Sequence, residues 1–161
     1  MFREFVNKIK EQVRILRVDS IRLRAKEYPS FSPSNLSVIV APHPDDEVFG
    51  CCGLMQRLIA LGKRVELIIM TGGGKSHAGC CDIDENELIR QRRQLTIRAA
   101  KEYGLSQEYI HFLDYPDGGV LESDSQTDKL SSLIHKIVDG QNDVSVFYPH
   151  KNGEGWSDHV T

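Results

Sequence analysis

Short apolar runs and longer segments of helical spacing alternate along this chain. Residues 38–41, 64–70, 109–113 and 144–148 are compact runs rich in Val, Ile, Leu, Phe and Tyr, and each reads as a buried strand. Between them, residues 49–61, 85–103 and 125–139 carry apolar side chains at helical intervals, such as Leu130, Leu133, Ile134, Ile137 and Val138. Gly62 and Gly104 stand where helix stops are expected, and Glu85 and Glu87 mark a helix start. Ahead of the first strand, Phe2, Phe5, Val6, Ile9, Val13 and Leu16 form one stripe of a helix over 2–28, stopped by Pro29. Ser30 to Asn35 is a short linker. The pattern predicts an amphipathic N-terminal helix (1–29) followed by an α/β domain (30–161). Alternation of strand and helix argues for a Rossmann-like, mostly parallel sheet with flanking helices.

The first strand ends abruptly in Pro42-His43-Pro44, where two prolines forbid helix and force an extended turn. Asp45, Asp46 and Glu47 follow at once, and ligands of open α/β sheets bind at such strand ends. His43 and Asp46, three apart across a tight turn, can converge on one point. Imidazole plus carboxylate suits a zinc ion that keeps an open position for water. Asp45, between them, is placed to act as a base. The blander alternative is that the three acids cap the next helix and complement its dipole. That accounts for the acids but not for a histidine held between two prolines.

Ala41-Pro42-His43-Pro44-Asp45-Asp46-Glu47 resembles the A-H-P-D-D-E signature of the PIG-L/LmbE-like zinc-dependent N-deacetylases, with Pro42 inserted before the histidine. That family removes acetyl groups from N-acetylglucosamine units of lipid, thiol or glycan precursors. The resemblance implies His43 and Asp46 as ligands of zinc or another divalent metal, Asp45 as general base and Glu47 as their support. It also implies a substrate-binding role for Arg92, which lies about twelve residues before the helix-ending Gly104. The family often has a Glu three residues after this arginine, where the chain has Leu95. The turn after the third strand, Pro116-Asp117-Gly118-Gly119, is similar to a family turn that places Asp117 near substrate.

A second histidine from a neighbouring strand end would complete a His2Asp site. The fourth strand runs into Pro149-His150, and Asp158-His159 follows. The family supplies this ligand from an H-x-D-H pattern, whose last histidine maps onto His159. The pattern's first histidine, which steadies the developing oxyanion, falls on Trp156. His150, earlier in the same loop, is the candidate to take over that role. The chain ends at Thr161, whereas family members continue for another helix and more strands, so a fragment or a shortened relative is expected.

Composition narrows the alternatives. A net charge of −3 gives no reason to expect nucleic acid. No apolar stretch approaches the ~20 residues of a membrane span, and no signal peptide opens the chain. A cytoplasmic location is therefore the expectation. The N-terminal helix carries eight Lys/Arg against four acids, leaving −7 for the remainder. Such a helix either docks on its own domain or lies on an anionic membrane surface. Cys51-Cys52 and Cys80-Cys81 lack the spacing of a structural zinc site. The first pair reads as small core residues and the second as loop thiols. Thr71-Gly72-Gly73-Gly74-Lys75-Ser76 ends like a phosphate loop, but Ile69 stands where its first Gly is required. The glycines suggest instead a close approach of backbone to substrate. No G-x-G-x-x-G follows the first strand, so a dinucleotide is not expected.

The reading is a metal-dependent hydrolase that removes the N-acetyl group of an N-acetylglucosamine-type sugar, in a small molecule or glycan. The alternatives are a truncated, non-catalytic relative that binds metal or sugar, and a metal hydrolase for another bond.

Overall fold

The computed structural model describes residues 32–118 and 124–149. The helix expected over 2–28, and both His150 and His159, lie outside them. The described elements run β1 (Leu36–Ala41), α1 (Asp46–Ala60), β2 (Arg64–Thr71), a 3-10 turn (Gly74–His77), α2 (Glu85–Glu102), a second 3-10 turn (Gln107–Tyr109), β3 (Ile110–Tyr115), α3 (Asp124–Val138) and β4 (Val144–Phe147). The strands form one sheet in the order β3-β2-β1-β4, with every pairing parallel. This is the α/β architecture the alternating pattern predicts.

A parallel sheet covered on both faces needs strands that are apolar at nearly every position. β1 and β2 meet that demand: all six residues of β1 and seven of the eight in β2 are buried. Their side chains alternate between two cores. Ile39, Ala41, Val65, Leu67 and Ile69 face α1 and α2, where Met55, Leu58 and Ala100 meet them. Val38, Val40, Ile68 and Met70 face the side of α3, where Ile137 and the partly buried Leu133 and Ile134 pack. Truncating a fully buried residue such as Met55 or Leu58 to Ala would cost about 2–5 kcal/mol.

The helix ends follow from two glycines. Gly62 and Gly104 adopt φ of 68° and 84°, a region open to Gly without penalty. Lys63 N–H then donates to Leu58 O and Gly62 N–H to Ile59 O; Leu105 N–H and Gly104 N–H bond Ala100 O and Lys101 O in the same way. Both are Schellman closures, and the second buries Leu105 on Ala100. α2 starts on the Asp84 side chain, which accepts the N–H of Glu87. Cys51 and Cys52 are half-buried against the α1/α2 core, while Cys80 and Cys81 are exposed. Among the described residues no helix is long and apolar enough to cross a membrane.

One boundary moves. The helix expected from residue 49 begins at Asp46, because Asp45 takes the turn residue's backbone strain and frees Asp46 and Glu47 to be helical. Chain order runs outward from β1 through β2 to β3, then returns to place β4 on β1's other side. That reversal puts the crevice at the carboxyl ends of β1 and β4, beside the Pro42–Glu47 turn.

Candidate active site

The turn after β1 is strained and heavily tied. Asp45 has φ 128°, a conformation that costs a non-glycine residue of order 1–3 kcal/mol. Its N–H donates to the Glu47 carboxylate at 2.9 Å, and its carbonyl accepts from Val48 and Phe49. The Asp46 carboxylate reaches back to accept His43 N–H at 2.9 Å, and Thr71 N–H holds Pro42 O from the end of β2. Asp45 forms no side-chain cap on α1. The acids therefore brace the turn rather than serve as helix caps.

His43 and Asp46 do converge. His43 Nδ1 lies 3.4 Å from Asp46 Oδ2, and both side chains are about a fifth to a quarter exposed. Glu47 lies beneath them, buried, and burial pushes its carboxyl above the usual range, with Asp45 and Asp46 adding smaller contributions in the same direction. Asp45 is half-exposed and aims its carboxylate at Arg92, with Arg92 Nη2 to Asp45 Oδ2 at 2.9 Å.

Arg92 is not a solvated residue like its neighbour Arg90. Its side chain is 16% exposed, and its guanidinium donates to four acceptors. Nη2 reaches Pro44 O (2.6 Å) as well as Asp45, and Nη1 reaches Gly73 O and Ser76 Oγ (both 2.9 Å). One side chain from α2 thus pins the β1 turn and the loop after β2. Arg93 stacks on Phe112 at 4.5 Å and pairs with Asp114.

The three glycines after β2 serve this packing. A Cβ at Gly72 would meet Ile89 at 2.7 Å, one at Gly74 would meet Glu85 at 2.5 Å, and one at Gly73 would collide with the Arg92 guanidinium. Gly73 also has φ 65°. The close approach is to side chains of α2, not to open space over the strand end.

Asp117 enters from the turn after β3. Its Oδ1 lies 3.2 Å from His43 Nε2 and accepts Thr71 Oγ at 2.8 Å; its Oδ2 accepts Lys75 N–H at 2.9 Å. The described chain therefore brings His43, Asp45, Asp46, Arg92 and Asp117 into one site, fed by the ends of β1, β2 and β3. His150 and His159 lie outside the described residues. Thr71, Lys75 and Ser76 belong to the site by contact. The signal available for Thr71 was its place as the hydroxyl residue closing an apolar strand.

A cavity of about 890 Å³ opens beside the turn, lined by Pro42, Asp46, Phe49 and Gly50 on one side and Phe147 and Tyr148 on the other. A second, of about 270 Å³, is lined by Asp45, Glu47 and Arg92. Among the described residues no three His, Cys, Asp or Glu side chains are arranged to hold a metal. Two donors are: an imidazole nitrogen and a carboxylate oxygen facing each other suit a borderline divalent cation.

A family profile described as PIG-L: GlcNAc-PI de-N-acetylase matches residues 38–161. No curated protein matches the sequence. Among solved structures, the N,N'-diacetylchitobiose deacetylase of Pyrococcus horikoshii is 25% identical with a TM-score of 0.71, over 99% of this chain and 54% of its own. A conserved protein of Thermus thermophilus is 26% identical with a TM-score of 0.59, over 79% of this chain and 50% of its own. A 4-carboxy-2-hydroxymuconate hydratase from Pseudomonas putida, 18% identical with a TM-score of 0.64, shares the fold. The chain spans about half the length of these structures.

Proposed function

The chain belongs to the PIG-L family, and on that premise we propose that it is a zinc-dependent N-deacetylase of an N-acetylglucosamine-type sugar. The convergence of His43 and Asp46 beside Asp45 at the carboxyl end of β1 carries this reading. His43 and Asp46, with His159 as third donor, would hold the metal. When bound, zinc supplies Lewis acidity and lowers the pKa of a water toward ~7.

Asp45 does the proton work. It takes the proton of the attacking water as the acetamide carbon is attacked, then returns it to the departing amine. Water and amide become acetate and a free amino sugar, so the protons balance. Arg92 holds the Asp45 carboxylate through the 2.9 Å contact, and a substrate oxygen would meet its guanidinium by displacing the exposed Ser76 hydroxyl from Nη1. His150 is assigned to the oxyanion side. The deacetylase domain is taken as residues 30–161. The substrate, a small molecule or glycan, is met in the cytoplasm.

The test pairs two measurements on the purified chain. Acetate release is followed with N-acetylglucosaminyl-phosphatidylinositol and N,N'-diacetylchitobiose, and metal content is measured beside His43→Ala and His159→Ala. About one zinc per chain, lost in both variants, together with acetate release, is the expected result. Metal retained by His159→Ala reassigns the third ligand. Sugar binding without acetate release overturns the enzymatic reading in favour of a binding relative.

A further inference from the structure

We propose that Asp117 is a positioning residue for His43: it fixes the imidazole in the Nε2–H tautomer and so presents Nδ1 toward Asp46. This rests on the reading of His43 and Asp46 as metal ligands and extends it to the group behind the histidine.

The surroundings of the carboxylate define its role. The Asp117 side chain is 9% exposed, and three donors from other segments converge on this residue. Thr71 Oγ and Lys75 N–H bond its two oxygens, and Lys75 Nζ bonds its carbonyl at 2.8 Å. Thr71 is itself held, since its Oγ accepts Gly73 N–H at 3.3 Å. A carboxylate in that setting is an acceptor only. An imidazole nitrogen 3.2 Å away must therefore carry its proton if the contact is to be favourable. In a neutral ring that puts the lone pair on Nδ1, the nitrogen 3.4 Å from Asp46 Oδ2.

In that tautomer the Nδ1 lone pair and the Asp46 carboxylate are near enough to share one cation. A ligating histidine that gives its other N–H to a carboxylate has a fixed ring plane and a more basic donor atom. The chain Gly73 N–H to Thr71 Oγ–H to Asp117, met from the other side by His43 Nε2–H, builds that arrangement from the ends of three strands. It also changes what Asp117 does. Its oxygens are used by protein donors, so its action on substrate passes through His43.

The test reads the tautomer directly. Long-range ¹H–¹⁵N spectra of the metal-free chain, recorded upward from about pH 8.5, identify which nitrogen of His43 carries hydrogen. His43→Gln assigns the signal among the six histidines. Wild type should show the Nε2–H form. Asp117→Ala should mix the tautomers and weaken zinc binding, measured by competition with a chromogenic chelator, by about 10–100-fold. Thr71→Val, which keeps the residue's shape, should weaken zinc a few-fold and guards against a folding defect in the alanine variant.

An Nδ1–H wild type, or an Asp117→Ala variant with tautomer and zinc affinity unchanged and only KM for the sugar raised, overturns the proposal. A wild type that binds no zinc but shows the Asp117-dependent tautomer upholds the positioning role and sinks the metal reading instead.

Discussion

Two histidine–carboxylate pairs sit at opposite ends of the same strands, and they are built differently. At the amino ends, Glu66 of β2 is fully buried within an apolar run and bonds His111 Nε2 at 2.7 Å and Arg64 Nε at 2.8 Å. His111 stands opposite Ile68, so it and Glu66 share the face toward α3. Every residue of that cluster has ordinary strand backbone. At the carboxyl ends, His43 and Asp117 come from two turns, and Asp45 in the first turn and Asp114 near the end of β3 have positive φ. Strain is tolerated there because Arg92, Glu47 and Thr71 hold the turn from three sides. The first pair gives a buried carboxylate a hydrogen-bond partner inside a sheet. The second aims a nitrogen at a neighbouring carboxylate beside a cavity, which is where α/β sheets place their chemistry.

The sharpest way to break this contrast is to swap which end is disabled. Asp45→Asn should lower acetate release by about 10²–10⁴-fold while the thermal midpoint stays at or above that of wild type, since the strained turn loses only a charge. Glu66→Gln should leave the rate within a few-fold. A dead Glu66→Gln of normal stability would make the amino end functional and collapse the distinction.

Stability should show the reverse order. Glu66→Ala leaves the Arg64 guanidinium and the His111 ring without the carboxylate they bond, at a cost of about 2–3 kcal/mol in urea unfolding. A loss under ~0.5 kcal/mol would mean that Arg64 and His111 rehydrate freely and that the pair adds little to the sheet. Gly73→Ala tests the other end mechanically. It imposes a side chain at φ 65° and drives a Cβ into Arg92, so we expect a loss of about 1–2 kcal/mol. The same variant should lower activity more than an equal destabilisation elsewhere, because Arg92 carries the push to Asp45.

The sequence showed these two ends unequally. Four strands and three helices were legible from apolar spacing and stop residues, because a parallel sheet covered on both faces demands nearly continuous apolar runs. The His43–Glu47 turn was legible because two prolines around a histidine have no bland explanation. Resemblance alone set Arg92 apart from its neighbours: helical spacing says which face a residue occupies, not that three glycines will draw that face onto the turn. The Glu66–His111 pair was hidden for a related reason. One acid inside Val65–Met70 did not disturb the strand pattern, and its partner lies 45 residues away on β3. Thr71 was legible as the first residue of a Thr-Gly-rich turn at a strand end, but not its partner, since its work lies in a hydrogen bond across two loops.

The smallest expected effect bears on why Glu47 is tolerated beneath the turn. Its folded-state carboxyl titrates above the ordinary 4.5 because burial penalises the charge, against two backbone hydrogen bonds that favour it. Between 4.5 and that raised value the folded chain keeps a proton that the unfolded chain has released. Stability contributed by Glu47 is therefore full below 4.5, falls as pH rises through the window, and stays lower above it. Glu47→Gln, which retains an oxygen to accept Asp45 N–H, has no proton to lose. The difference in unfolding free energy between variant and wild type, measured with chelator present, should shift in the variant's favour across that window and then level off. Any effect of the new amide itself is a constant offset, so the slope is the diagnostic. A flat difference curve would mean that Glu47 carries no net desolvation cost. The two N–H donors would then fully compensate its charge, and the turn would brace itself without drawing on the stability of the fold.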